Sequence, residues 1–273
     1  MKEMQTGQFF GETDKIMHLD GITLTKTVYT HDYVDWHYHQ NAYFTFLLRG
    51  GLIETDRKKT VRCAPGDLLF HYWQESHCNI KPPEFTQGFH IEIEQSWFDN
   101  LELDRRMFEG SFQITDPAVR IAFYSMAREL GCPDTASVVS IEDSLCRALV
   151  HVSKTTAFHS NKPLWVTQIR DVLHARPFDT HTLLGLAMTL HIHPVHLSRA
   201  FTQYFGVPLG TYIRQIRLQK SIERMYDPSL SLTNIALQCG FSDQSHFVRC
   251  FKAVTGITPL RYRRELCKIN EPC

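Results

Sequence analysis

Residues 231–264 read SLTNIALQCGFSDQSHFVRCFKAVTGITPLRYRR. LTNIALQC (232–239) is a short apolar helix that stops at Gly240, a residue able to adopt the left-handed conformation a tight helix end needs. Ser242 or Asp243 can cap the helix that follows. In that helix Phe247, Cys250, Phe251 and Val254 form an apolar stripe at helical spacing. Gln244, Ser245, His246 and Arg249 form the opposite face. The stretch therefore predicts helix–turn–helix.

The same unit occurs once more upstream. Leu186-Ala187 answers Ile235-Ala236, and LSRAF (197–201) answers FVRCF (247–251). Leu197, Arg199, Phe201 and Gly206 map onto Phe247, Arg249, Phe251 and Gly256 with a constant offset of 50 residues, so one unit is used twice. In the first copy Leu197, Ala200, Phe201, Tyr204 and Phe205 form the stripe, and Pro194 suits the first helical turn. Val195, His196, Ser198, Arg199 and Gln203 lie on the other face. Neither face carries Glu, which an ordinary surface helix would pair with Lys. Short side chains with Arg and Gln suit base-edge reading, Arg to guanine and Gln to adenine. The segment between the units, 208–226, reads as a helix carrying Arg217 and Lys220, expected to meet phosphates or stay solvated. Its 19 positions would span roughly 28 Å, enough to set two readers about one DNA turn apart.

Charge agrees with that reading. The chain has 273 residues and formal net charge +0. Residues 1–163 hold 16 Lys+Arg against 22 Asp+Glu, and 164–273 hold 13 against 7. A neutral total thus divides into −6 and +6, which points to an anionic partner for the C-terminal part. The length suggests two domains. No apolar run reaches the roughly 18–20 residues of a membrane helix, and MKEMQTGQFFGETDK lacks a signal-peptide core. A cytoplasmic protein without a membrane partner is expected. The 8 cysteines, at 63, 78, 132, 146, 239, 250, 267 and 273, form no CxxC pair and read as free thiols.

The N-terminal part reads as strands: ITLTKTVY (22–29), AYFTFLLR (42–49), KTVRC (59–63), DLLFHYW (67–73) and FTQGFHIEIE (85–94). Gly50-Gly51, Pro65-Gly66-Asp67 and Pro82-Pro83 break them. Phe89, Ile91 and Ile93 alternate with His90, Glu92 and Glu94, which predicts one buried and one wet face. His37 and His39 flank one residue, so an extended chain points both the same way. His71 and His77 follow after the Pro-Gly turn. Helical periodicity follows strand 85–94. In 140–154, Ile141, Leu145, Ala148, Leu149 and Val152 share a face that packs either on the barrel or on a twin. His159-Ser160-Asn161-Lys162-Pro163 is the expected linker.

Residues 184–225, LGLAMTLHIHPVHLSRAFTQYFGVPLGTYIRQIRLQKSIERM, together with 231–264, closely resemble the AraC/XylS family of bacterial transcription regulators. The match covers about 164–264, with GF, SD, F, R, FK, TG, TP and YR at family spacing. It departs in the first turn, where His191 and His193 stand in place of Gly and Ser. The HxH and PGD motifs resemble a cupin barrel. In metal cupins a Glu follows the HxH by about four residues; here that position holds Tyr43, which leaves a thin ligand set, and no metal or other cofactor is expected.

The resemblance implies an α+β multidomain fold. Residues 1–160 would be a cupin-like barrel with following helices that senses an effector and dimerises. Residues 164–264 would be an all-α domain with two helix–turn–helix units. The implied partners are double-stranded DNA, a small-molecule effector, RNA polymerase and a second copy of the chain, through the barrel or the helices at 116–157. The expected effector pocket comprises His37, His39, Tyr43, Phe70 and His77. The expected function is regulation without catalysis. The alternative is a metal-dependent cupin enzyme fused to a DNA-binding domain.

Overall fold

The computed structural model describes residues 1–82, 85–101, 108–157 and 163–270. Met1–Val150 with residues 265–270 form one compact unit and His151–Arg264 another. Pro83, His159-Ser160-Asn161-Lys162 and Cys273 lie outside the described residues.

The first unit begins with β1 (Lys2–Met4), β2 (Glu12–Leu19), β3 (Ile22–Tyr29), β4 (Tyr33–His39), β5 (Ala42–Arg49) and β6 (Leu52–Asp56). It continues with β7 (Thr60–Cys63), β8 (Leu68–His71), β9 (His77–Ile80), β10 (Thr86–Ile93), α1 (Gln95–Asp99) and β11 (Phe112–Ile114). The helices α2 (Pro117–Gly131) and α3 (Ser137–Ala157) follow. Gly50 turns the chain from β5 to β6 at φ +75°, and a Cβ there would meet Phe85 O at 2.4 Å. The strands make two sheets, β1-β4-β9-β6-β7 and β11-β8-β5-β10-β3-β2. The expected barrel is thus two facing sheets, and among the described residues no ladder closes them into one.

β10 lies between β3 and β5, and all eight of its residues are buried. The expected wet face is therefore corrected. Phe89, Ile91 and Ile93 look one way, toward a layer that contains α2, where the Phe89 and Phe44 rings approach Phe123 at 6.3 and 5.1 Å. His90 and Glu92, each 1% exposed, lie on the other face, inside the sandwich. A central strand covered on both sides keeps its alternation, but the alternation separates apolar core from polar interior.

In α3, Ile141, Leu145, Ala148, Leu149 and Val152 are all buried within the chain itself. The stripe is thus not left uncovered for a twin. Cys63, Cys78, Cys132, Cys146, Cys239 and Cys250 are free, as read; the side chain of Cys267 is not among those described.

The second unit holds α4 (Leu164–Ala175), α5 (Leu183–Thr189), α6 (Pro194–Phe205), α7 (Leu209–Met225), α8 (Leu232–Gln238) and α9 (Gln244–Thr255). α10 (Pro259–Asn270) follows. Trp165, Ile169, Leu186, Leu197, Phe201 and Tyr212 belong to one apolar cluster, so α4, α5, α6 and α7 share a core. The inter-unit segment is not a bare spacer. Tyr212, Ile216, Leu218, Ile222 and Met225 of α7 are buried.

Candidate nucleic-acid interface and histidine cavity

Each helix–turn–helix closes by the same hydrogen bonds. In the first, Leu190 N–H donates to Leu186 O and Ile192 N–H to Ala187 O. In the second, Cys239 N–H donates to Ile235 O and Phe241 N–H to Ala236 O. Both turns need one left-handed residue, His191 at φ +53° and Gly240 at φ +78°. The first turn is one residue shorter, because His193 caps α6 while Asp243 caps α9. His193 Nδ1 accepts from Val195 N–H at 3.3 Å; Asp243 Oδ1 accepts from His246 N–H at 2.7 Å. The carboxylate is the stronger cap, since it adds a full negative charge at a helix N-terminus.

The caps aim the helices. Leu197, Ala200, Phe201 and Phe205 of α6 face the core, leaving Val195, His196, Ser198, Arg199 and Gln203 exposed. Phe247 and Phe251 anchor α9 likewise, with Gln244, Ser245 and Arg249 exposed. Two side chains differ from expectation. Val254 is 46% exposed, so the buried stripe of α9 ends a turn early. His246 is half-buried, its ring 5.6 Å from that of Phe241 and its Nδ1 3.1 Å from Ser242 Oγ. Among the described residues Arg199 and Arg249 make no ion pair, and Asp243 is occupied with its cap.

Arg217 corrects the phosphate expectation. Its Nε donates to Pro177 O at 3.1 Å, Nη1 to Gly240 O at 2.7 Å and Nη2 to Asp179 O at 2.9 Å. Each of the three guanidinium nitrogens thereby donates one bond to a main-chain carbonyl. The group ties the loop before α5 to the turn before α9. Gly240 makes room for it, since a Cβ there would lie 3.0 Å from Arg217 Cζ. Lys220 is half-buried and binds Glu223 at 2.8 Å, so its charge is answered within the helix.

In the first unit four strands bring imidazoles together. His37 of β4 pairs opposite His77 of β9, and Tyr43 of β5 opposite His71 of β8. Thr45 pairs with His90 and Tyr43 with Glu92 across β5 and β10. His37, His39, Tyr43 and His77 line one small cavity with Tyr29, Glu54, Lys81 and His90. His37 Nδ1–H donates to Asp35 O at 2.9 Å and His77 Nδ1–H to Glu75 O at 3.3 Å. These bonds fix both tautomers with the Nε2 lone pair available, and Tyr43 Oη donates to His77 Nε2 at 2.9 Å. Burial holds His37 down to about 4 and His71, His77 and His90 well below the usual imidazole range. The same desolvation pushes Glu54 up to about 8 and Lys81 down to about 7.

The mouth is stopped by Phe9 and Phe10. Phe9 stacks on His90 with centroids 3.7 Å apart, and Phe10 meets His37 edge-on at 4.9 Å. Gly7 N–H donates to Glu92 just upstream. The remaining space is about 10 Å³, room for one water or one ion.

Comparison with known proteins bears on both units. The helix-turn-helix domain family matches residues 186–265. The helix-turn-helix-type transcriptional regulator YobQ of Bacillus subtilis (strain 168) is 31% identical over 252 residues, covering 91% of this chain and 96% of YobQ. The chain belongs to the AraC family of transcriptional regulators. The bifunctional transcriptional activator/DNA repair enzyme AdaA of Bacillus subtilis (strain 168) is 30% identical over 107 residues, 39% of this chain and 50% of AdaA. The Msm operon regulatory protein of Streptococcus mutans is 26% identical over 108 residues, 40% of this chain and 39% of that protein. The chain thus spans half or less of the length of these two relatives. Among solved structures, an apo form of ToxT from Vibrio cholerae strain SCE256 aligns over 91% of this chain and 98% of its own, at 13% identity and a TM-score of 0.43.

In this AraC-family chain the cavity differs from expectation in its membership. Phe70 does not line it. In β8, Phe70 pairs with Phe44 and packs 5.6 Å from Phe108 on the opposite face of the sheet. Neighbours on a strand point oppositely, so His71, stacked on Tyr43 at 4.2 Å, takes the inner place. Glu54 and His90 were not foreseen, and His71 was noted only as following the Pro-Gly turn, because long-range pairing alone sets them beside the HxH histidines. The signal that could have found them is a polar residue inside an otherwise apolar strand, as with His90 and Glu92 between Phe89 and Ile93.

Proposed function

We propose that the chain is a sequence-specific DNA-binding regulator that reads base edges with α6 and α9 and receives its input in the two-sheet domain. One observation carries this: Arg199 and Arg249 stand at equivalent places of a doubled helix–turn–helix, exposed and without an ion pair among the described residues. Arg bidentate to guanine contributes about 1–3 kcal/mol of discrimination. The test selects an operator from a random duplex pool and measures Arg249→Ala on operator and on random DNA at one salt concentration. Operator affinity should fall about 10-fold to 100-fold, with little change on random DNA. Equal loss on both, or a lowered melting temperature, refutes base reading.

An organic effector is accommodated only once Phe9 and Phe10 leave the cavity, because about 10 Å³ admits no such molecule. The effector would then meet His37, His39, Tyr43 and His77. The regulator acts as a homodimer at a promoter, with RNA polymerase as its downstream partner. Paired readers on repeated half-sites and the prevalence of symmetric dimers support the dimer. Val139 and Val150 of α3 are exposed, 69% and 37%, and offer a partly apolar outer face. The comparisons give the enzyme reading no support.

A further inference from the structure

His71 is 2% exposed, yet its Nε2 has no hydrogen-bond partner among the described residues. Its Nδ1 lies 3.6 Å from Glu54 Oε1, beyond hydrogen-bond reach. A buried polar atom left unmatched costs about 1–3 kcal/mol and calls for an explanation. Glu54 lies beside His71 at 9% exposure, and among the described residues no Lys or Arg pairs with it. His77 turns Nε2 inward with its Nδ1 held by Glu75 O, and an ion bound there would displace the Tyr43 hydroxyl that Nε2 now accepts from. Donor atoms of Glu54, His71 and His77 all fall within 4.8 Å of one another.

We propose that Glu54, His71 and His77 bind one divalent transition-metal ion of the zinc–cobalt class. Two imidazoles and one carboxylate are a donor set that such ions take. His37, His39 and His77 also bring donors within 4.8 Å, but that trio contains no anion. A directly bound carboxylate offsets the charge of a dication in a dry site, and the acid nearest the trio, Glu92, stands 3.8 Å from His39 and already receives the Gly7 N–H, which favours the set with Glu54. Glu54 and His77 belong to the five-stranded sheet and His71 to the six-stranded one, so the ion would bridge the two sheets. Lys81 faces the same cavity with its Nζ 3.3 Å from the Tyr29 ring centroid, toward that ring.

The test titrates Co²⁺ into the chelator-stripped full-length chain and follows the visible d–d bands, with Zn²⁺ counted by mass spectrometry after loading. One ion per chain is expected, with a melting temperature raised by the ion. Glu54→Gln copies the shape of the carboxyl, and His71→Phe keeps the stack on Tyr43, so both leave the apo fold in place. Each should weaken Co²⁺ binding at least about tenfold and cancel the thermal shift. His37→Gln should leave the bands and the shift intact. Three results overturn the proposal: no stoichiometric ion in the unaltered chain, undiminished binding in Glu54→Gln and His71→Phe, or loss confined to His37→Gln and His39→Gln.

Discussion

Arg217 shows how one side chain changes role between sequence and fold. In the sequence it is one cation among several on a basic helix. In the structure its three nitrogens close on the carbonyls of Pro177, Asp179 and Gly240. Hydrogen bonds from a charged donor contribute about 1.5–3 kcal/mol each where buried and less where water competes. Arg217→Ala should lower the stability of the C-terminal unit by about 2–3 kcal/mol in urea unfolding. Arg217→Lys should recover little, because a single ammonium cannot serve a planar three-way grip. Lys220→Ala is the companion control. Its charge is answered by Glu223, so the slope of log affinity against log salt should stay unchanged. A slope reduced by about one would restore Lys220 as a phosphate ligand. Local pattern could not have revealed the grip, since Pro177 lies 40 residues from Arg217 along the chain.

Elements carry the legibility of the C-terminal unit. Stripe, cap and turn glycine lie within a few residues of one another, so Gly240, Asp243 and Phe247 could each be assigned a place before any tertiary contact was known. The first turn was legible as a departure, and His191 does occupy the left-handed place. A residue with a Cβ costs about 1 kcal/mol there relative to glycine. His191→Gly should therefore raise the calorimetric midpoint of the C-terminal unit by roughly 4 °C. An unchanged or lowered midpoint would mean that the imidazole makes a compensating contact. Strands were less legible. β3 and β5 matched their apolar runs end to end, but β4, β6 and β9 escaped, because His37, Glu54 and His77 face an interior that pattern reads as solvent, and β2 escaped as a largely exposed edge strand. The same cause hid the inner placement of His90 and Glu92 and misplaced Phe70. Parity along β8 allows only one of Phe70 and His71 inside, and which one depends on the register with β5.

At the scale of the molecule the charge division is sharper on the two compact units than on the halves of the sequence: 1–150 with 265–273 holds 15 Lys+Arg against 24 Asp+Glu, and 151–264 holds 14 against 5. An acidic input domain lowers non-specific attraction to DNA and leaves the contact to the basic one. The dimer belongs to this scale too. Sedimentation of the full chain at tens of micromolar should give a dimer, and Val139→Glu with Val150→Glu should shift it to monomer. A dimer untouched by both changes would move the interface away from α3. Among the described residues no helix is long and apolar enough to cross a membrane.

The grip of Arg217 also bears on the mechanics of the operator. It ties the loop before α5 and the turn before α9 to α7, which stiffens the link between the two helix–turn–helix motifs. α7 has 17 residues and is about 25 Å long, whereas one turn of straight duplex advances about 34 Å. Should α7 hold α6 and α9 closer together than one helical repeat, the misfit passes to the DNA, which must then curve toward the protein. Smooth bending of a site by 40–90° costs on the order of 1–6 kcal/mol, depending on the steps between the contacted grooves. Flexible TA or CA steps there should bind tighter than a rigid A-tract, although no side chain touches them. Circular-permutation gels of bound fragments should show a bend with the unaltered chain and a smaller one with Arg217→Ala. Selection would then act on the compliance of the intervening base pairs as well as on the letters that α6 and α9 read.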